Sequence, residues 1–178
     1  SRFGDAWAGV HIPRLEEVLE TVDGRVGLNV HVQGVGPDGT MVKRVCDLLS
    51  EHALTDIAYI ALGTESALQI AHDYAPEVSL ACLASQNDPP RSIAIAARWA
   101  CQRIQFSRQV TEDQARRAHD AGLVCNLFWS DQPEEAMVYV RKGIDVILTN
   151  CAHTMIAGGF KALQRFPDSQ GLQPEIRT

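Results

Sequence analysis

The sequence predicts an α/β protein of the TIM-type (β/α) barrel class, with six of the eight βα units present. Three observations lead there. Short apolar runs alternate with segments of helical spacing, a new strand begins about every 20–30 residues, and the strands keep polar residues on one face. The alternation implies parallel strands joined by right-handed crossovers. The one-sided polarity separates a barrel from an open doubly wound sheet, whose central strands lie under helices on both faces and are apolar on both.

The elements follow in order. A helix from Pro13 to about Val22 precedes a first strand at Gly27–Gln33, in which Leu28, Val30 and Val32 share one face and Asn29, His31 and Gln33 the other. Val42, Val45, Cys46 and Leu49 fall at i, i+3, i+4 and i+7 and mark the next helix. Further strands are read at Asp56–Leu62, Val78–Leu83, Arg103–Phe106, Leu123–Trp129 and Ile144–Thr149. Ile93, Ala96, Ala97 and Ala100 repeat the helical spacing, and Asp88-Pro89 places a cap before a first-turn proline. Thr111-Glu-Asp-Gln114 is a capping box, Ser130-Asp131 precedes Pro133 in the manner of a cap, and Gly122 and Gly143 stand where two helices should stop. In Arg103–Ser107 the residues Arg103, Gln105 and Ser107 alternate with Ile104 and Phe106. No linker divides the chain, so residues 1–165 read as one barrel domain lacking its first two strands, and 166–178 as a polar tail.

The 178 residues carry 16 Lys and Arg against 22 Asp and Glu, a net charge of −6, which argues against nucleic acid as a partner. No apolar run reaches the ~18 residues of a membrane span. Five cysteines, odd in number and without a CxxC pair, read as buried reduced thiols rather than a disulfide frame or zinc site, which points to a cytoplasmic protein. The chain begins at Ser1 rather than Met, so a leader upstream stays open.

Gly34-Val-Gly36-Pro-Asp-Gly39 formally matches a dinucleotide fingerprint between a strand and a helix. Pro37 removes a donor from the would-be phosphate cradle, and Asp56 begins the next strand where a ribose-binding acid should end it, so the segment reads as a turn. His31, between Asn29 and Gln33, is either an interior histidine or a metal or acid/base group at a barrel mouth. Trp129 is either a lid on the core or a wall of a substrate pocket. Asn150 is either a helix cap or, with His153, part of an anion site before the last helix. His11, His52, His72 and His119 read as solvated. Only Asp131 gives a carboxylate at a strand end, too few for a magnesium or calcium site within this chain.

Four segments carry a resemblance: Ile12-Pro-Arg-Leu-Glu-Glu-Val-Leu19, Leu28-Asn-Val-His-Val-Gln33, Ala118-His-Asp-Ala-Gly-Leu-Val-Cys-Asn-Leu-Phe-Trp-Ser130 and Gly143-Ile-Asp-Val-Ile-Leu-Thr-Asn150. In order and spacing they resemble the glycerophosphodiester phosphodiesterases over about residues 8–157. The resemblance implies a TIM-type barrel hydrolase that releases glycerol 3-phosphate and an alcohol, in lipid metabolism, with a divalent metal (Mg or Ca). It places His31 where the family has a metal-binding glutamate, Gln33 where it has a phosphate-facing lysine and Trp129 beside the glycerol moiety. Asn150 stands for the family's final aspartate. The family's catalytic histidines and its Glu-x-Asp metal pair precede the first helix, so they are expected on an N-terminal segment outside this chain, which alone would be inactive. Two readings follow: such a phosphodiesterase, or a degenerate non-catalytic barrel that binds a phosphate-containing ligand or a protein partner. Two open barrel edges are expected to be covered by a homo-oligomer partner or by the missing segment.

Overall fold

The computed structural model describes residues 9–158, so the polar tail at 166–178 lies outside the described residues. The chain packs as two compact units that divide after Ala81.

The first unit opens with α1 (Leu15–Val22) and β1 (Leu28–Val32), followed by α2 (Thr40–Glu51), β2 (Ala58–Leu62), α3 (Glu65–Tyr74) and β3 (Ser79–Cys82), whose last residue crosses the division. β1 pairs parallel with β2, His31 opposite Ala61 and Val32 opposite Leu62. The helical spacing read from the sequence buries Val42, Val45, Cys46 and Leu49 of α2, and Ala67, Leu68 and Ala71 of α3 do the same. The hydroxyl of Thr64 caps α3 by accepting from the Ala67 amide at 3.2 Å.

The Gly34–Gly39 segment is a turn. Pro37–Gly39 forms a single 3-10 turn running straight into α2. Gly39 has φ +76°, and a Cβ there would meet Ile70 Cγ2 at 2.7 Å, so both its backbone and its packing require glycine.

The second unit holds α4 (Pro89–Arg98), β4 (Arg103–Ser107), α5 (Glu112–Asp120), β5 (Val124–Phe128), α6 (Pro133–Arg141), β6 (Val146–Ile147) and the short α7 (Ala152–Ala157). β4 and β5 pair parallel with Gln105 opposite Asn126, and β5 and β6 with Asn126 opposite Val146. Asp88 caps α4 through the Arg91 amide, and Thr111 with Gln114 closes the capping box on α5. Ile104, Phe106, Cys125 and Leu127 are buried on one face of the strands, where Ala115, Ala118 and Ala136 of the helices are also buried. The polar residues of β4 are not displayed as their alternation suggested: Arg103 and Gln105 are buried too, Gln105 receiving the Gln86 side-chain amide on its carbonyl.

All six strands are ordered as in the sequence. A doubly wound sheet reverses its strand order at a switch point, whereas a (β/α) barrel adds each parallel strand beside the last. The order is that of the barrel.

Candidate functional site

The C-terminal ends of barrel strands carry a fold's ligand chemistry, since the loops that follow them are free to vary. In the second unit, β5 ends on Phe128 and is followed by Trp129, both half-exposed after the buried run Cys125–Leu127. With Ile147, Leu148, Thr149 and Asn150 they line a cavity of about 580 Å³. Trp129 thus lines this cavity with much of its ring exposed.

Asp131 organises this rim. Its Oδ1 accepts from the Asn150 backbone N–H at 2.7 Å and from the Thr149 hydroxyl at 2.9 Å. Its Oδ2 accepts from the Asn150 side-chain amide and from the Trp129 indole N–H, each at 3.1 Å. The side-chain and backbone donors of Asn150, then Thr149 and Trp129, hold the carboxyl down at about 2 against a burial effect of opposite sign. Asp131 is an anchored carboxylate at every physiological pH.

This corrects two readings. Ser130-Asp131 does not cap α6, whose N-cap is Gln132 without a side-chain cap bond. Asn150 does not cap α7, whose N-cap is Cys151. The Asn150 amide is spent on Asp131 because an ionised carboxylate only accepts, which fixes the nitrogen toward it and leaves the amide oxygen as an acceptor. His153 is exposed at a helix of six residues.

A second layer supports the first. Ser130 is buried, its N–H donates to the Leu148 carbonyl at 3.0 Å, and its hydroxyl donates to Glu135. Glu135 is ion-paired with Arg108 at the end of β4; the Ser130 and Arg108 hydrogen bonds lower its pKa. The Arg108 guanidinium lies 6.0 Å from the Trp129 ring centroid, at the outer limit of a cation–π contact. Arg108 and Glu135 carried no motif in the sequence, and Ser130 was read only as part of a helix cap and of the family resemblance.

His31 and Gln33 lie in the first unit, both exposed on the face of β1 that the alternation assigned them, with Asn29. The structure thus brings Trp129 and Asn150 together in one rim and sets His31 beside Gln33 on another strand. Magnesium and calcium prefer several oxygen donors, mostly charged. On β1 an imidazole and a neutral amide do not meet that need: His31 can be one ligand, not a site.

At the opposite end of β5 the sequence reading needs a further correction. His119 is not simply solvated: its Nε2 lies 2.9 Å from Asp145 Oδ2, which also accepts from the Cys125 N–H at 2.8 Å. His119, Cys125 and Asp145 are the grouping of three metal-capable side chains found among the described residues. The cysteines are all free thiols; four are buried and Cys151 is half-buried.

Compared by sequence, the chain matches no family model and no curated protein. Compared by structure, it matches solved proteins closely. One from Galdieria sulphuraria, described as a glycerophosphodiester phosphodiesterase, superposes with TM-score 0.74 at 18% identity, over 84% of this chain and 65% of that one. A phosphodiesterase from Oleispira antarctica, solved with the product sn-glycerol 3-phosphate, gives TM-score 0.68 at 17% identity, over 84% and 62%. The N-acetylmannosamine-6-phosphate 2-epimerase of Clostridium perfringens gives TM-score 0.52 at 12% identity, over 78% and 67%. The chain has the fold of the glycerophosphodiester phosphodiesterases, and it spans less than two thirds of the length of the first two. The epimerase shares the architecture with a different activity, so fold alone does not set the chemistry.

Proposed function

We propose that this chain is the ligand-holding part of a phosphoric diester hydrolase of the glycerophosphodiester phosphodiesterase type, which releases glycerol 3-phosphate and an alcohol. The observation that carries the reading is the Trp129–Asp131–Asn150 rim around the cavity at the ends of β5 and β6. It is supported by the fold shared with a phosphodiesterase that binds sn-glycerol 3-phosphate. The indole face of Trp129 packs against the carbon skeleton of the glyceryl moiety, and the Asn150 amide oxygen accepts from one of its hydroxyls. Asp131 sets both groups and repels a phosphate brought beside them, so the phosphate belongs away from this rim. The histidines that would protonate the leaving alcohol are assigned to a segment outside this chain. Among the described residues, His31 and Gln33 at β1 do not by themselves form a site for magnesium or calcium.

A second reading, a binding module without hydrolysis, is favoured by one specific observation. The carboxylate that organises this rim, Asp131, already accepts four hydrogen bonds and has no proton to exchange near neutral pH.

Calorimetric titration with sn-glycerol 3-phosphate tests the site. The expected result is binding that weakens about tenfold or more in Trp129→Ala, in line with removal of an aromatic wall. Equal affinity in parent and variant, or no binding by the parent, overturns the assignment. Release of glycerol 3-phosphate from glycerophosphocholine by the protein separates the hydrolase from the binding module.

A further inference from the structure

We infer that His119, Cys125 and Asp145 form a binding site for a borderline-soft divalent metal such as zinc, at the end of β5 opposite the Trp129 cavity. The three residues come from separate elements of the second unit: His119 from the last turn of α5, Cys125 from the second position of β5, and Asp145 from the residue preceding β6. Their nitrogen, sulfur and oxygen donors all lie within 4.8 Å of one another. In a tetrahedral zinc site, with bonds of ~2.0–2.3 Å, neighbouring donors sit roughly 3.3–3.7 Å apart. The widest pair therefore needs to close by up to about 1.5 Å while the 2.9 Å His119–Asp145 pair opens slightly, within reach of a rotamer adjustment of an exposed imidazole.

The surroundings suit that ion. The Asp145 carboxylate is already aimed by the Cys125 backbone N–H at 2.8 Å and by His119 at 2.9 Å. Sγ of Cys125 has only long contacts, to the carbonyls of Ala115 at 3.7 Å and Leu123 at 3.9 Å, and so loses little by turning to a metal. Gly143, whose φ of +94° favours glycine, lies beside the ring: a Cβ there would be 3.5 Å from His119 Cε1, an ordinary contact distance. The His119 side chain is 40% exposed and that of Asp145 21%, which gives the ion an entry path and leaves its fourth position to water. A mixed N, S, O set selects zinc or cobalt over magnesium and calcium. On binding, the metal–sulfur bond replaces the S–H bond of Cys125, and the proton leaves to buffer. About three residues of β5 separate this cluster from Phe128, roughly 10 Å, so the site does not depend on the phosphodiesterase reading.

Cobalt(II) added to the full chain is the probe. The expected result is one equivalent bound, with a thiolate-to-cobalt charge-transfer band in the near ultraviolet and tetrahedral bands in the visible, all displaced by zinc. Cys125→Ser is expected to abolish the charge-transfer band. Because a buried cysteine is replaced there, His119→Ala at the exposed ring serves as the second variant, with affinity lowered at least about tenfold while its circular dichroism stays that of the parent. A parent that shows no charge-transfer band overturns the proposal. So does a band that persists in folded Cys125→Ser, or unchanged affinity in His119→Ala.

Discussion

Replacing Gly39 with alanine distinguishes a turn glycine from a phosphate-cradle glycine in the Gly34–Gly39 loop. At φ +76° an alanine sits in the left-handed region at a cost of roughly 1–2 kcal/mol. Its Cβ would also fall 2.7 Å from Ile70 Cγ2 and 3.1 Å from Cδ1, and relieving such overpacking against a stiff β-branched side chain costs about 1–3 kcal/mol. Together roughly 2–5 kcal/mol are lost, or about 5–15 °C in Tm for a chain of this size. Gly34 lacks a positive φ and has open space at its Cβ, so Gly34→Ala should stay within about 0.5 kcal/mol of the parent. Urea and thermal unfolding followed by far-ultraviolet circular dichroism measure both variants. The double variant Gly39→Ala/Ile70→Ala removes the clash but not the strain, so a coupling energy of about 1 kcal/mol or more in the favourable sense is expected. A Gly39→Ala variant as stable as the parent, or a Gly34→Ala variant as damaged, would refute the turn and reopen the nucleotide reading.

Three further outcomes are expected. Asp131 has a folded pKa near 2 against an ordinary value of 3.8, so its stabilisation is complete above the ordinary value and is lost as pH falls through about 2; the tryptophan fluorescence of the parent should change in that window, and the change should be absent in Asp131→Asn. Under native conditions Ellman's reagent should modify half-buried Cys151 well before the others, since burial pushes the thiols of Cys46 and Cys125 up to about 11 and about 12; fast modification of all five cysteines would contradict the packing. Strands β1 and β6 end the strand order, and the free edge of a strand invites pairing. Light scattering should therefore find this chain associated, and a monomer at every concentration would count against that.

The strands and most helices were legible because their signals are local. Thr111 and Gln114 are three residues apart, as are Asp88 and Arg91, and the α2 stripe spans two turns, so each pattern lies within one element. The site was less legible because its bonds are not local. Asp131 stands two residues before Pro133 and so reads as a helix cap, yet three of its four bonds come from 18 and 19 residues onward, across the register of β5 and β6. His119 and Asp145 are 26 residues apart, and nothing in a helix-end histidine announces a carboxylate on the approach to another strand. Alternation told that Arg103 and Gln105 share a face, but not that the face is buried.

The two ends of β5 divide the chemistry available to this unit. At the C-terminal end, Asp131 is satisfied by four donors, which makes the rim rigid and leaves no lone carboxylate for a cation. What remains for a ligand is an indole face, an amide oxygen and apolar wall, a surface suited to a neutral polyol rather than to a phosphate. At the N-terminal end, one carboxylate positions an imidazole near a buried thiol, a donor set that calcium and magnesium do not favour and zinc does. A divalent ion that stimulates diester hydrolysis would therefore act either at the His119 cluster or at groups outside the described residues. If zinc stabilises the chain through His119 without changing the affinity for sn-glycerol 3-phosphate at Trp129, the metal is a staple between α5, β5 and β6. Catalytic charge must then come from outside the described residues.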